Sequence, residues 1–198
     1  MRGIDTTENM SNHIETLKQN GVSAVGRYIS GGAWKNLTLP EADALHAADI
    51  KILPIYERDP VNADYFLHDA AQTDYVIART QVTYYKIPST AVLWFAVDYD
   101  VPQSELPIIT NYFRTLTGLI RHHRADGYEF PGVGVYGSGR VLSAIRSKWP
   151  VRTWLSESVG WAGYDAWKTE ADIVQTIKTD DLGFDYDWDF INDIKMGF

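Results

Sequence analysis

The run Ala91-Val92-Leu93-Trp94-Phe95-Ala96-Val97 contains no polar residue. A strand with one wet face alternates apolar and polar side chains, so an unbroken apolar run of this length belongs to a strand covered on both faces. That situation is typical of parallel sheets flanked by helices. Similar short runs recur along the chain, predicting strands over 2–5, 22–29, 51–57, 91–98, 132–137, 152–157 and 173–177 and a short last one near 185–189. Amphipathic stretches separate them, the alternation expected of βα units.

Several of those stretches carry helix start signals. Thr6 and Thr7 precede a helical pattern over 8–20, Thr38-Leu39-Pro40-Glu41 has the form of a capping box before an alanine-rich segment, and Ser104-Glu105 opens a run to Arg124. Residues 62–85 read as one further long helix, and Gly21 and Gly127 stand where helices should stop. Strands and helices in this alternation fit a closed barrel or an open doubly wound sheet. The open sheet usually has a glycine-rich first turn, and Gly3-Ile4-Asp5-Thr6 is not one. The expectation is therefore an α/β fold, a compact (β/α)8 TIM-type barrel over residues 1–198 as a single domain. At 198 residues some of its helices must be short or missing.

Composition narrows the function classes. A net charge of -8 and the lack of any Lys/Arg run longer than two residues disfavour nucleic acid as a partner. The opening Met-Arg-Gly-Ile-Asp has no apolar core of a signal peptide, and no span of about 18 apolar residues predicts membrane insertion. The absence of cysteine removes disulfides, thiolate catalysis and Cys-based zinc sites. His13, His46, His68, His122 and His123 all fall in predicted helices, away from strand ends, against a histidine-rich zinc site or a Ser-His-Asp triad. Gly134-Val135-Tyr136-Gly137-Ser138-Gly139 lacks the Gly-Lys-Ser/Thr of a phosphate loop and fits a strand followed by a capped helix. No cofactor and no metal is implied.

In such a barrel the site lies at the C-terminal ends of the strands. The residues predicted there are acidic: Asp5, Glu57 after Tyr56, Asp98 and Asp100 around Tyr99, Glu157, and Asp185, Asp187 and Asp189 on the last strand. One carboxylate after a strand is commonly a helix N-cap. Several on one rim would repel one another unless raised and ordinary pKa values stand side by side, the condition for acid/base hydrolysis. Glycosidases need such a carboxyl pair; hard-cation binding is the rival use of an Asp-x-Asp pattern. Tyr28, Tyr56, Tyr136 and Trp161, predicted at or just beyond strand ends, could stack on sugar faces or pack in the core.

The segments Gly3-Ile4-Asp5, Gly26-Arg27-Tyr28, Pro54-Ile55-Tyr56-Glu57, Trp94 to Asp100, Gly134-Val135-Tyr136-Gly137 and Trp154-Leu155-Ser156 followed by Gly160-Trp161 resemble, in order, a bacterial glycoside-hydrolase-like domain family of unknown function. That family is similar to the family 25 lysozymes, muramidases on a (β/α)8-type barrel. The resemblance implies that Asp5 and Asp98 stand for the first- and fourth-strand aspartates, and that Gln175 with Asp187 or Asp189 closes the site. Arg27, Tyr28, Tyr56, Tyr136, Glu157 and Trp161 then contact substrate. One position departs. The lysozymes carry Asp-x-Glu on the fourth strand with Glu as the acid, where this chain has Asp98-Tyr99-Asp100.

Three readings follow: Asp100 acts with a shifted backbone, Glu57 takes the acid role, or the domain binds glycan without cutting it. The favoured set is Glu57 with Asp98 as the working pair, Asp5 balancing charge or orienting the sugar, and Asp100 as a further candidate. The leading function is a lysozyme-like hydrolase of peptidoglycan or a related glycan, made without a Sec signal and reaching the wall by other delivery, with a delivery or immunity partner unidentified. The alternatives are a catalytically silent carbohydrate-binding barrel and a metal-dependent hydrolase of another substrate.

Overall fold

The computed structural model describes residues 1–30, 34–178 and 180–198. Eight strands close into a barrel in sequence order: β1 (Arg2–Asp5), β2 (Val22–Tyr28), β3 (Lys51–Tyr56), β4 (Val92–Ala96), β5 (Gly132–Gly137), β6 (Arg152–Leu155), β7 (Ile173–Thr176) and β8 (Asp187–Ile191). Outside them lie α1 (Ile14–Gln19), α2 (Leu39–Ala47), α3 (Ala70–Tyr84), α4 (Leu106–Ala125), α5 (Gly139–Arg146) and the single turn α6 (Tyr164–Trp167). The (β/α)8-type barrel is thus the observed fold.

Three local expectations need correction. Strands β1 to β7 are parallel, but β8 runs antiparallel to both β7 and β1. Among the described residues no helix crosses back between β7 and β8, so the chain turns at the rim and descends directly. Asp187 is therefore at the beginning of its strand and still at the same rim as the ends of the others. The predicted helix over 62–85 is two elements, a 3-10 turn at Ala63–Phe66 and α3, broken where His68 takes a positive φ of 54°. The pattern over 8–20 is likewise a 3-10 turn, Met10–Asn12, followed by α1, so His13 caps a helix and His68 lies outside one. Thr38 and Glu41 do form the expected capping box, and Gly21 and Gly127 have φ of 68° and 85° at helix ends.

Alternation along each strand sorts side chains into two cores. Val25, Ile52, Leu93, Phe95, Val135 and Leu155 point outward to the helices. Ala24, Leu53, Ile55, Val92, Trp94, Trp154, Ile173 and Ile191 fill the barrel, with Met196 from the C-terminal turn. At the centre Trp94 and Trp154 meet edge to face, their centroids 5.3 Å apart. Two indoles fit in so small a barrel because glycines face them. A Cβ at Gly26 would lie 2.7 Å from the Asp5 Cβ and 2.9 Å from the Trp154 ring, and one at Gly134 would overlap the Trp94 ring. We expect Gly134→Ala to lower stability by about 1–3 kcal/mol through overpacking, measurable as a shifted denaturant midpoint at unchanged slope.

Candidate active site

The residues that follow the buried tryptophans on the inward face open into a cavity of about 270 Å³ at the rim. Asp5, Tyr28, Glu57, Asp98, Tyr136, Glu157, Trp161, Gln175 and Asp187 line it, together with Ile55, Trp154, Ser156 and Ser158. Nine of the residues singled out from the sequence therefore meet in one pocket. Strand parity explains the convergence: Asp5, Tyr28, Tyr136 and Gln175 share the inward face of their strands, and Glu57 and Asp98 continue it just beyond β3 and β4.

Parity also explains the residues that do not join them. Arg27 is one position from Tyr28 and so faces the helices. It is 1% exposed and pairs with Glu41, itself 0% exposed, through Nε at 2.7 Å, while its Nη1 donates to the Thr6 carbonyl. Tyr56 likewise points outward, its hydroxyl donating to Asp74 at 3.0 Å. Asp189 faces inward but one layer lower, buried, accepting from Trp154 Nε1 at 3.0 Å. Asp100 lies outside the cavity and its Oδ1 accepts from the Ala162 backbone N–H at 3.1 Å. Arg27 and Tyr56 are thus turned to the helices and lie outside the cavity.

Gln175 organises one wall. Its Nε2 donates to Asp5 Oδ2 at 2.9 Å and Asp187 Oδ2 at 3.3 Å, and its Oε1 accepts from the Tyr136 hydroxyl at 2.9 Å and the Glu157 N–H at 3.1 Å. On the opposite wall, the Ser30 hydroxyl and the Glu57 backbone hold each other, the Glu57 N–H donating to Ser30 Oγ at 2.9 Å. The Asp98 N–H donates to the Pro60 carbonyl at 2.9 Å. Lys35, which nothing in the sequence pattern marked, forms an ion pair with Glu57, with its ammonium 3.9 Å from the centre of the Tyr28 ring. It is held there because Asn36 next to it forms a parallel bridge with Tyr28, the Leu37 N–H donating to the Tyr28 carbonyl at 2.8 Å.

The carboxyls differ in protonation. Burial, then the charges of Asp187 and Glu57, push Asp5 up to about 8 even though the Gln175 hydrogen bond pulls it down. Burial and Asp5 push Asp189 well above the carboxylate range. Asp98 is raised by burial and by Glu57, with Lys35 offsetting part of this; Asp187 and Glu157 are raised chiefly by burial. Among the described residues no group of three or more His, Cys, Asp or Glu is arranged to hold a metal ion.

Asp5 gives a pH-dependent stability with a definite sign. Folded Asp5 keeps its proton to about pH 8, whereas the unfolded side chain loses it near 3.8. The folded state holds the extra proton between those values, so its contribution is fully present below the lower one and lost as pH rises through the window. Asp5→Asn should raise the thermal midpoint at pH 7.5 and leave it nearly unchanged at pH 4. Thermal unfolding followed by circular dichroism from pH 4 to 8 checks this; an equal offset at both ends would contradict it.

The rim of this closed barrel thus brings carboxyls and aromatic rings together in one cavity. Residues 15–188 match the model of the Rv2525c-like, glycoside hydrolase-like domain, and the chain belongs to that family. YbfG, an uncharacterized protein of Bacillus subtilis strain 168, is 31% identical over 139 residues, 64% of this chain. The chain spans only 19% of the length of YbfG. The Tat-secreted protein Rv2525c of Mycobacterium tuberculosis, solved with HEPES, shares the fold at a TM-score of 0.78 and 19% identity, over 99% of this chain and 97% of that one. The modular autolysin LytC of Streptococcus pneumoniae, solved with a synthetic peptidoglycan ligand, aligns at 0.56 and 16% identity, over 95% of this chain and 46% of that one.

Proposed function

We propose that this domain hydrolyses a glycosidic bond in the glycan of the bacterial cell wall, with Asp98 as proton donor and Glu57, ion-paired with Lys35, as its partner. The observation that carries this is the unequal environment of two carboxyls on adjacent strand ends in one pocket. Glu57 is ion-paired with Lys35, while Asp98, half-buried beside Glu57, is raised above the ordinary carboxylate range by burial and by that charge. In this reading the roles expected from sequence are exchanged within the same pair: Glu57, engaged by the Lys35 ammonium, serves as base or nucleophile, and Asp98 serves as the acid. The Asp98 carboxyl protonates the leaving oxygen. Glu57 then either activates water or attacks the anomeric carbon, the separation across the bound sugar deciding between inversion and retention. Asp5, held by Gln175, orients the ring from below.

Family membership supports the reaction class, and the fold shared with an autolysin solved with a peptidoglycan ligand supports the substrate. The Tat secretion of Rv2525c supports action beyond the cytoplasmic membrane. Among the described residues no helix is long and apolar enough to cross a membrane.

The silent-binder reading also has a specific observation behind it, since Asp100 is turned to the Ala162 N–H and away from the cavity where the resembled lysozymes place their acid. Digestion of purified peptidoglycan in 18O-labelled water separates the two. Hydrolysis gives new reducing-end sugars carrying one heavy oxygen, with or without chelator. Binding to the sacculus without labelled ends would establish the silent barrel, and labelled ends lost on chelation would establish a metal-dependent hydrolase.

A further inference from the structure

The pocket has two acidic walls, and only one of them is used by the proposed chemistry. β3 and β4 carry Glu57 and Asp98; across the ring, the wall of β6, β7 and β8 carries Glu157, Gln175 and Asp187. On that second wall Glu157 Oε2 is buried with no hydrogen-bond partner, although Glu157 has a solvent-facing pocket beside it. Asp187 accepts one bond, from Gln175 at 3.3 Å. Lys178, whose charge acts on Asp187, is engaged with Asp185 at 2.9 Å. Trp161 lines the same cavity.

From this geometry we infer that the wall formed by Glu157, Asp187 and Trp161 is a subsite for the free ammonium group of a de-N-acetylated amino sugar. The inference rests on the pocket being a glycan site and names the sugar it selects. An ammonium brings three donors and no acceptor, which matches a wall offering the unpartnered Glu157 Oε2, the Asp187 carboxyl and a neighbouring indole. An N-acetyl group replaces the cationic ammonium with a single N–H donor and a carbonyl acceptor, which facing carboxyl oxygens serve less well, and a lactyl carboxylate would bring a further acid to an acidic wall. Gln175, the one amide on the wall, already spends both Nε2 contacts on Asp5 and Asp187. In a chain so placed, the glucosamine-type ring faces β6 to β8 and a muramic-type ring lies outside this subsite.

The groups facing the subsite also fix how binding varies with pH. Glu157 faces Asp187; Asp187 faces Asp5 across the strand pair, Asp185 along the chain and the Lys178 ammonium beyond it. In the empty pocket burial keeps protons on Glu157 and Asp187 above their ordinary range, and a bound ammonium displaces them. Affinity for the amino sugar therefore rises with pH through the acidic range, until the sugar's own ammonium deprotonates.

The test is calorimetric titration of the full chain with β-1,4-linked glucosamine tetramers and with their fully N-acetylated counterparts, from pH 5 to 7. The expected result is binding of the free amine about tenfold tighter at pH 7, an affinity that climbs with pH only for the amine, and loss of most of the preference in Glu157→Gln. Asp187→Asn provides a second variant, with thermal unfolding confirming that each is folded. Equal or tighter binding of the N-acetylated tetramer, a preference untouched by Glu157→Gln, or no binding of either sugar would overturn the inference. Turnover of N-acetylated wall glycan with no preference for the amine would overturn it while leaving the hydrolase reading intact. A clear preference with no turnover of any glycan would do the reverse.

Discussion

Asp98→Asn is expected to lower the rate of glycan cleavage by about a hundred- to ten-thousandfold, the range general acid–base groups contribute. Asn is the same size but has no transferable proton. The loss should shrink sharply on aryl glycosides with acidic leaving groups, which depart without protonation, and this dependence distinguishes a proton donor from a residue that only positions the sugar. Stability offers an internal control. The Asp98 carboxyl is half-buried and raised by burial, so replacing it with a neutral amide should leave the thermal midpoint unchanged or higher. A variant that keeps the parent rate on natural glycan would remove Asp98 from the chemistry. One that loses rate equally on all leaving groups would make it a binding residue.

Glu41→Ala is expected to cost about 3–5 kcal/mol of folding stability, a large part of the 5–15 kcal/mol a domain usually has. Glu41 is fully buried and accepts four hydrogen bonds: from Arg27 Nε at 2.7 Å and Nη2 at 3.3 Å, from the Met10 N–H at 2.9 Å and from the Thr38 N–H at 3.3 Å. Removing it strands a guanidinium that is 1% exposed, with the Thr6 carbonyl as its remaining partner. Because Arg27 and Thr6 tie the ends of β2 and β1 together, the same change should loosen the edge that carries Tyr28 and Asp5. Urea unfolding measures the cost. Replacing both partners by Arg27→Met with Glu41→Leu should recover most of it, since an apolar pair of similar volume leaves no buried charge. A loss below about 1 kcal/mol for Glu41→Ala would show that water reaches Arg27.

The sequence made the barrel legible because its information is local. Unbroken apolar runs mark strands buried on both faces, and the Thr38–Glu41 spacing marks a helix start that the structure contains. The rim was legible for the same reason: Glu57 and Asp98 immediately follow apolar runs, so they had to lie at strand ends. What stayed hidden depends on long-range geometry. Arg27 looked like a ligand contact because it neighbours Tyr28, but the choice of face depends on which strand residues turn inward, and Gly26 and Tyr28 take that side. Its partner Glu41 was visible only as a capping residue. Asp74, which accepts hydroxyl bonds from Tyr56, Tyr65 and Tyr112 and guanidinium bonds from Arg58, carried no signal within an ordinary helical pattern. Lys35 sits in a loop whose path is set by backbone pairing to β2, and loop position is poorly encoded by composition. The direction of β8 goes with the lack, among the described residues, of a crossover helix after β7, which a pattern of short apolar runs does not reveal.

Glu57 and Asp98 carry the proposed chemistry, so their placement around a bound sugar is the most direct test of the account. The decisive measurement is the crystal structure of Glu57→Gln with a tetrasaccharide of wall glycan bound. The account predicts the scissile oxygen within roughly 3 Å of an Asp98 carboxyl oxygen, with position 57 facing the anomeric carbon. A glycan seated outside the cavity, or one whose scissile oxygen faces Glu157 and Asp187 instead, would contradict it.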